Sequence, residues 1–190
     1  MNFLPTELAG VLLVQPKLHS DARGYFLEVF HEGIFAQAGI AERFVQDNQS
    51  HSKKGVLRGL HYQVEKPQGK LIRVLQGEIF DVAVDVRVGS KTFGKWVGVT
   101  LAAAEQKMIW IPGGFAHGFY TLSETADVAY KVTEFYAPQN DRTLLWNDPD
   151  VGIRWPLQGE PILSDKDRAG HRLKELARSH RQPGPSAESR

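Results

Sequence analysis

Three basic side chains fall close together in Gly55-Val56-Leu57-Arg58-Gly59-Leu60-His61-Tyr62-Gln63 and the following Gly69-Lys70. Glycines allow tight backbone paths there. On a functional reading, His61 is a general base, Arg58 clamps an anion and Lys70 steadies developing negative charge. The plainer reading is a surface loop with ordinary basic residues. A second cluster is Trp110-Ile111-Pro112-Gly113-Gly114-Phe115-Ala116-His117-Gly118-Phe119. There His117 could ligate a metal, support a ligand, or sit buried against backbone, the last being the commonest fate of such a histidine. A metal needs at least three protein ligands when cysteine is absent. His61 has only Glu65 at close ligand spacing, and His51, beside Asn48 and Gln49, is too isolated to complete a set. Two further groups are Ala129-Tyr130-Lys131 with Tyr136, and Leu163-Ser164-Asp165-Lys166-Asp167. Tyrosines on a strand usually belong to a core or a rim. Ser-Asp-Lys-Asp usually starts a solvated helix, capped by Ser164 or Asp165.

The elements that must position these residues are mostly strands. In Phe80 to Val88, Phe80, Val82, Val84, Val86 and Val88 share one face, and Asp81, Asp85 and Arg87 share the other. Period two with β-branched residues signals a strand. Lys70 to Leu75 reads as another, joined to it by a turn at Gln76-Gly77-Glu78. Further strands are expected over Trp96 to Leu101, Met108 to Ile111, Gly118 to Leu122 and Val128 to Phe135. Short strands at near-regular spacing indicate a sandwich or a barrel. Helices are expected only over His31 to Ala38 and Asp165 to Ser179.

The 190 residues make room for one domain, expected over residues 1–180, and the Pro- and Gly-containing residues 181–190 read as a disordered tail. A net charge of +1 argues against nucleic-acid binding through bulk charge. With no cysteine, thiolate chemistry and disulfides are excluded. Met1 to Glu7 lacks a basic region followed by an apolar run, and no stretch approaches a membrane span of about 18 apolar residues. A soluble cytoplasmic protein, with neither membrane nor nucleic acid as partner, is expected.

Seven segments in order resemble the dTDP-4-dehydrorhamnose 3,5-epimerase family. They are Arg58-Gly59-Leu60-His61-Tyr62-Gln63, Gly69-Lys70-Leu71-Ile72-Arg73-Val74, the strand Phe80 to Arg87, and Thr92-Phe93-Gly94-Lys95-Trp96. Ile111 to Phe119, Trp146-Asn147-Asp148-Pro149 and Leu163-Ser164-Asp165-Lys166-Asp167 complete the series. Their order, from about Pro16 to Asp167, carries more weight than any one motif.

The resemblance implies an all-β, cupin-type jelly-roll barrel with a few short helices, no metal and no cofactor. It implies a homodimer acting on a dTDP-linked 4-keto-6-deoxyhexose, with C3 and C5 inverted. His61 would be the base, Asp167 its carboxylate partner, Lys70 the neighbour of the C4 oxygen and Tyr130 the acid on the opposite side. Arg23, Glu28, Gln46, Asp47 and Asn48 would surround the thymidine end, with Arg23 and Glu28 reaching into the neighbouring subunit's site. Tyr136 would stack on the base, Arg58 and Lys166 would meet the diphosphate, His117 would line the sugar pocket, and Asp141 would also contact substrate. Leu101 to Gln106 and the segment after Asp167 depart from the family pattern without touching this set. Three other readings compete: a mono-epimerase of the same family, a non-catalytic sugar-nucleotide-binding cupin, and a metal-dependent cupin. All of His61, Tyr130 and Asp167 are present, which disfavours the second, and the ligand count disfavours the third.

Overall fold

The computed structural model describes residues 1–179, so the expectation for residues 181–190 lies outside the described residues. In chain order the strands are β1 (Asn2–Pro5), β2 (Leu12–Gln15), β3 (Leu18–Asp21), β4 (Gly24–Leu27), β5 (Gln46–Lys53), β6 (Leu57–Gln63) and β7 (Lys70–Gln76). They continue as β8 (Glu78–Asp85), β9 (Trp96–Ala102), β10 (Met108–Ile111), β11 (Phe115–Thr121), β12 (Thr125–Val132) and β13 (Asp141–Thr143). The helices are α1 (Glu32–Gln37), α2 (Asp165–Arg168) and α3 (Leu173–Ser179), with a short 3-10 turn at Ala103–Glu105. The cupin-type jelly roll expected from the sequence is what the chain adopts.

Six strands form one sheet in the order β1-β2-β10-β7-β12-β5, and five form another in the order β13-β6-β11-β8-β9. Strand pairing within both sheets is antiparallel. Apolar residues of both sheets, among them Ile72, Val74, Ile79, Ala83, Ile109, Phe115 and Phe119, meet in the core between them. Removing such side chains from water is the main driving force for closing the sandwich. The outer face of the five-stranded sheet is covered as well. Val82, Val84 and Val86 pack there with Leu60, Leu144, Val151 and Leu173. The valine face of β8 therefore lies under the C-terminal segment, while Asp81 and Asp85 are themselves fully buried. Aromatic residues Phe30, Phe35 and Phe44 cluster with Leu71, Met108 and Trp110 around α1, on the outer side of the six-stranded sheet.

The strands expected over Gly118 to Leu122 and Val128 to Phe135 run instead over Phe115–Thr121 and Thr125–Val132. Two further expectations need correction. The helix expected over Asp165 to Ser179 is two helices separated by residues 169–172. His171 there makes a parallel bridge to Leu144, and a Cβ on Gly170 would come within 2.7 Å of the Leu145 backbone. Pairing with a strand thus claims the backbone that a continuous helix would need. The strand expected over Phe80 to Val88 ends at Asp85, because that carboxylate turns the chain. It accepts bonds from the Arg87 amide, the Arg87 guanidinium, Ser90 and Thr92. Among the described residues no helix is long and apolar enough to cross a membrane.

Candidate active site

The site begins with β6, which places His61 on its inner side while Leu60 and Tyr62 join the outer cluster. Gly59 makes this possible. Its φ is +122°, and a Cβ there would lie 2.5 Å from the Gly118 Cα on β11. Only glycine tolerates both the dihedral and the approach. The Gly59 amide donates to Asp167 Oδ1 at 3.2 Å, and His61 Nε2 lies 2.6 Å from the same oxygen. Asp167 arrives on α2, whose N-cap Ser164 donates to Asp167 Oδ2 at 2.6 Å and accepts from the Asp167 amide. Burial pushes the Asp167 carboxyl up, but the bonds from His61, Ser164 and Gly59 outweigh it and hold it below the usual carboxylate range. An ionised carboxylate can only accept, so Nε2 carries the imidazole proton and Nδ1 is left as the basic atom.

Next to His61 in the β6–β11 register stands His117. Its Nε2 lies 2.8 Å from Oδ2 of Asp81, a residue with no exposure at all. Two histidine–carboxylate pairs therefore occupy the five-stranded wall. From the opposite, six-stranded wall come Lys70, Tyr130, Gln46 and Asn48. Lys70 is buried and donates to the His61 carbonyl at 3.4 Å. Burial lowers its pKa to about 8, with Asp141 and Asp81 resisting that shift and Lys166 adding to it. Burial also raises the Tyr130 pKa, against the opposing charge of Arg58, so its hydroxyl keeps its proton. Arg58 spans the walls at the rim, donating to Ser52 Oγ at 2.9 Å and the His51 carbonyl at 3.1 Å. Asp141 accepts from the Tyr136 hydroxyl at 3.0 Å and pairs with Lys166.

These side chains line one cavity of about 400 Å³. It brings together His61, Lys70, Tyr130, Asp167, Gln46, Asn48, Arg58, His117, Tyr136, Asp141 and Lys166. Arg23, Glu28 and Asp47 are not part of it. Arg23 sits in the β3–β4 hairpin with its side chain 89% exposed and paired to Asp21. Glu28, just past β4, is exposed. Asp47 alternates to the outer side of β5 and pairs with Lys131 at 2.9 Å. Sequence reasoning missed Asp81, Gln63 and Gln68 as cavity neighbours. A charged residue between Phe80 and Val82 on a strand was the available signal for Asp81. Among the described residues, no group of three or more His, Cys, Asp or Glu side chains is placed to hold a metal.

The family model for dTDP-4-dehydrorhamnose 3,5-epimerase matches residues 5–175. The chain belongs to this family. A dTDP-4-dehydrorhamnose 3,5-epimerase of Neisseria gonorrhoeae is 56% identical over 171 residues, 90% of this chain. The chain spans about half of that relative's length, 52%. A crystal structure of the dTDP-6-deoxy-D-glucose-3,5-epimerase of Legionella pneumophila, in complex with dTDP-4-keto-L-rhamnose, superposes with a TM-score of 0.89. It is 49% identical, over 92% of this chain and 96% of that one. A 3′-monoepimerase of Streptomyces bikiniensis in complex with dTDP-quinovose has a TM-score of 0.86 and 35% identity, over 93% of this chain and 90% of that one.

Proposed function

We infer that this chain inverts C3 and C5 of dTDP-4-dehydro-6-deoxy-D-glucose, giving dTDP-4-dehydro-L-rhamnose. One observation carries the mechanism: a histidine paired to an ionised carboxylate and a protonated tyrosine stand on opposite sheets of one cavity. Inversion at a carbon requires a proton to leave one face and another to arrive on the opposite face. Both carbons flank the C4 ketone, which acidifies their protons, so no redox cofactor is needed. His61 Nδ1 takes the proton, and Asp167 stabilises the imidazolium that forms. Lys70, held as a cation below about pH 8, meets the enolate oxygen. Tyr130 returns a proton from the other wall. His117, fixed by Asp81, lines the sugar side.

Toward the rim, Arg58 and Lys166 supply positive charge for the diphosphate, and Tyr136 offers a ring for the thymine. Gln46 and Asn48 add polar groups there. Asp141 holds Lys166 and Tyr136. The functional unit is a homodimer. The β3–β4 hairpin leaves Leu18, Tyr25 and Phe26 48%, 57% and 70% exposed, and an apolar hairpin of this kind favours a partner surface. Arg23 and Glu28 are carried by or next to that hairpin, away from their own chain's cavity, which supports their reaching the partner's site. We place its work in the cytoplasm.

The same residues would serve an enzyme inverting C3 alone, and the likeness to a monoepimerase favours testing it. Incubation with the keto sugar in heavy water decides the matter. Deuterium at both C3 and C5 with L-rhamno product is the expected result. Label at C3 alone indicates the mono-epimerase, and label at neither overturns the assignment. His61→Ala should stop exchange at both carbons. Tyr130→Phe should retain exchange while losing inversion by about 10²–10⁴-fold, the usual contribution of a general acid.

A further inference from the structure

We propose that Gln63 is a positioning residue whose single carboxamide holds the two peptide groups on either side of Tyr136. Gln63 ends β6, two residues beyond His61, and is 4% exposed. Its Oε1 accepts from the Ala137 amide at 2.7 Å. Its Nε2 donates to the Phe135 carbonyl at 3.3 Å and the Lys66 carbonyl at 2.9 Å. Both amide protons and one acceptor site are thus engaged, all on backbone of two rim segments.

The Tyr136 ring needs such support. Phe135 and Tyr136 are 62% and 54% exposed, so core packing does not fix them, and the segment between β12 and β13 has no strand or helix of its own at these residues. Gln46 adds one bond, accepting from the Tyr136 amide at 3.2 Å. A flat ring serves as a stacking surface only if its plane is already set. Otherwise each binding event costs the ordering of the loop. Gln63 also shares a strand with His61, so one rigid element fixes both the ring that receives the base and the imidazole that meets the sugar. A bound nucleotide is then registered against the reacting carbons.

The inference rests on the reading of Tyr136 as the thymine's stacking surface, and its test separates the two. Affinities are measured for dTDP, and for inorganic diphosphate by competition, with wild type, Gln63→Leu, Tyr136→Ala and the double variant. Gln63→Leu should weaken dTDP by about tenfold while leaving diphosphate within about twofold, because the base and not the phosphates loses its surface. In the Tyr136→Ala background, Gln63→Leu should add nothing further for dTDP. With the keto sugar, KM should rise and kcat hold. Equal weakening of both probes, or undiminished weakening in the Tyr136→Ala background, overturns the role of Gln63. If Tyr136→Ala leaves dTDP affinity unchanged, the stacking reading fails and this inference with it. If Tyr136→Ala weakens dTDP and Gln63→Leu does not, the Gln63 inference alone fails. Gln63→Glu keeps the acceptor for Ala137 but loses both donors, and it carries the same cycle should the leucine variant not fold.

Discussion

Lys70 shows how one residue's surroundings set a pH range for catalysis. Burial lowers its pKa to about 8, and the nearby Asp141 and Asp81 prevent a larger fall. Below that pH the side chain is a cation that can meet an enolate oxygen, and as pH rises through it the charge is lost. A plot of kcat/KM against pH, which reports the free enzyme, should therefore fall above about pH 8. Lys70→Met should lower kcat by about 10²–10³, as removal of an oxyanion donor does, and should flatten that limb. A limb of the same position and depth in Lys70→Met would assign it to another group.

Among the elements, α2 does more than its four residues suggest. Ser164 caps it, and the same hydroxyl bonds the second oxygen of Asp167. Losing an N-cap serine costs about 1 kcal/mol. Part of the loss in Ser164→Ala should depend on pH through Asp167, whose folded-state pKa is depressed. A depressed carboxylate contributes stability above its unfolded pKa, and that contribution disappears as pH falls through the folded value. Ser164→Ala should thus be less stable than wild type by about 1 kcal/mol at neutral pH, with the gap narrowing below the usual carboxylate range near pH 4. Denaturant unfolding at several pH values checks this. A gap that stays constant with pH would leave only the cap. The β6–β11 contact acts at the same scale, since Gly59 and Gly118 let the His61 strand approach its neighbour.

At the scale of the whole molecule, Arg23 belongs to a hairpin that pairs only within itself among the described strands, and Glu28 directly follows that hairpin. If they complete the partner's site, two defective subunits can repair one another. A heterodimer of Arg23→Ala and His61→Ala subunits, isolated through two different tags, has one site with both an intact His61 and an intact Arg23. Its activity should be about half that of wild type, one site of two in a twofold dimer. If Arg23 served its own subunit, no site would be complete, and activity would be about half that of the Arg23→Ala homodimer, which has two such Arg23-deficient sites.

Six strands were legible in the sequence because their apolar residues pack in dry clusters, on the alternate positions Phe80, Val82 and Val84 and at every position in Met108–Ile111. Strand β5 was not, since Gln46–Lys53 is polar throughout. Its alternate residues face a polar cavity and solvent, so no apolar contrast marks its period. Strand β6 was hidden for the opposite reason, its two faces serving the outer cluster and the site. Residue types and the order of motifs determined the family, the jelly roll and the roster of polar side chains. What only the tertiary structure decided was which of them meet. Asp167 reaches His61 across 106 positions of chain, and Asp81 reaches His117 across 36. Those pairings depend on strand register and on a helix docked against a glycine, and such long-range geometry leaves no periodic mark on the chain.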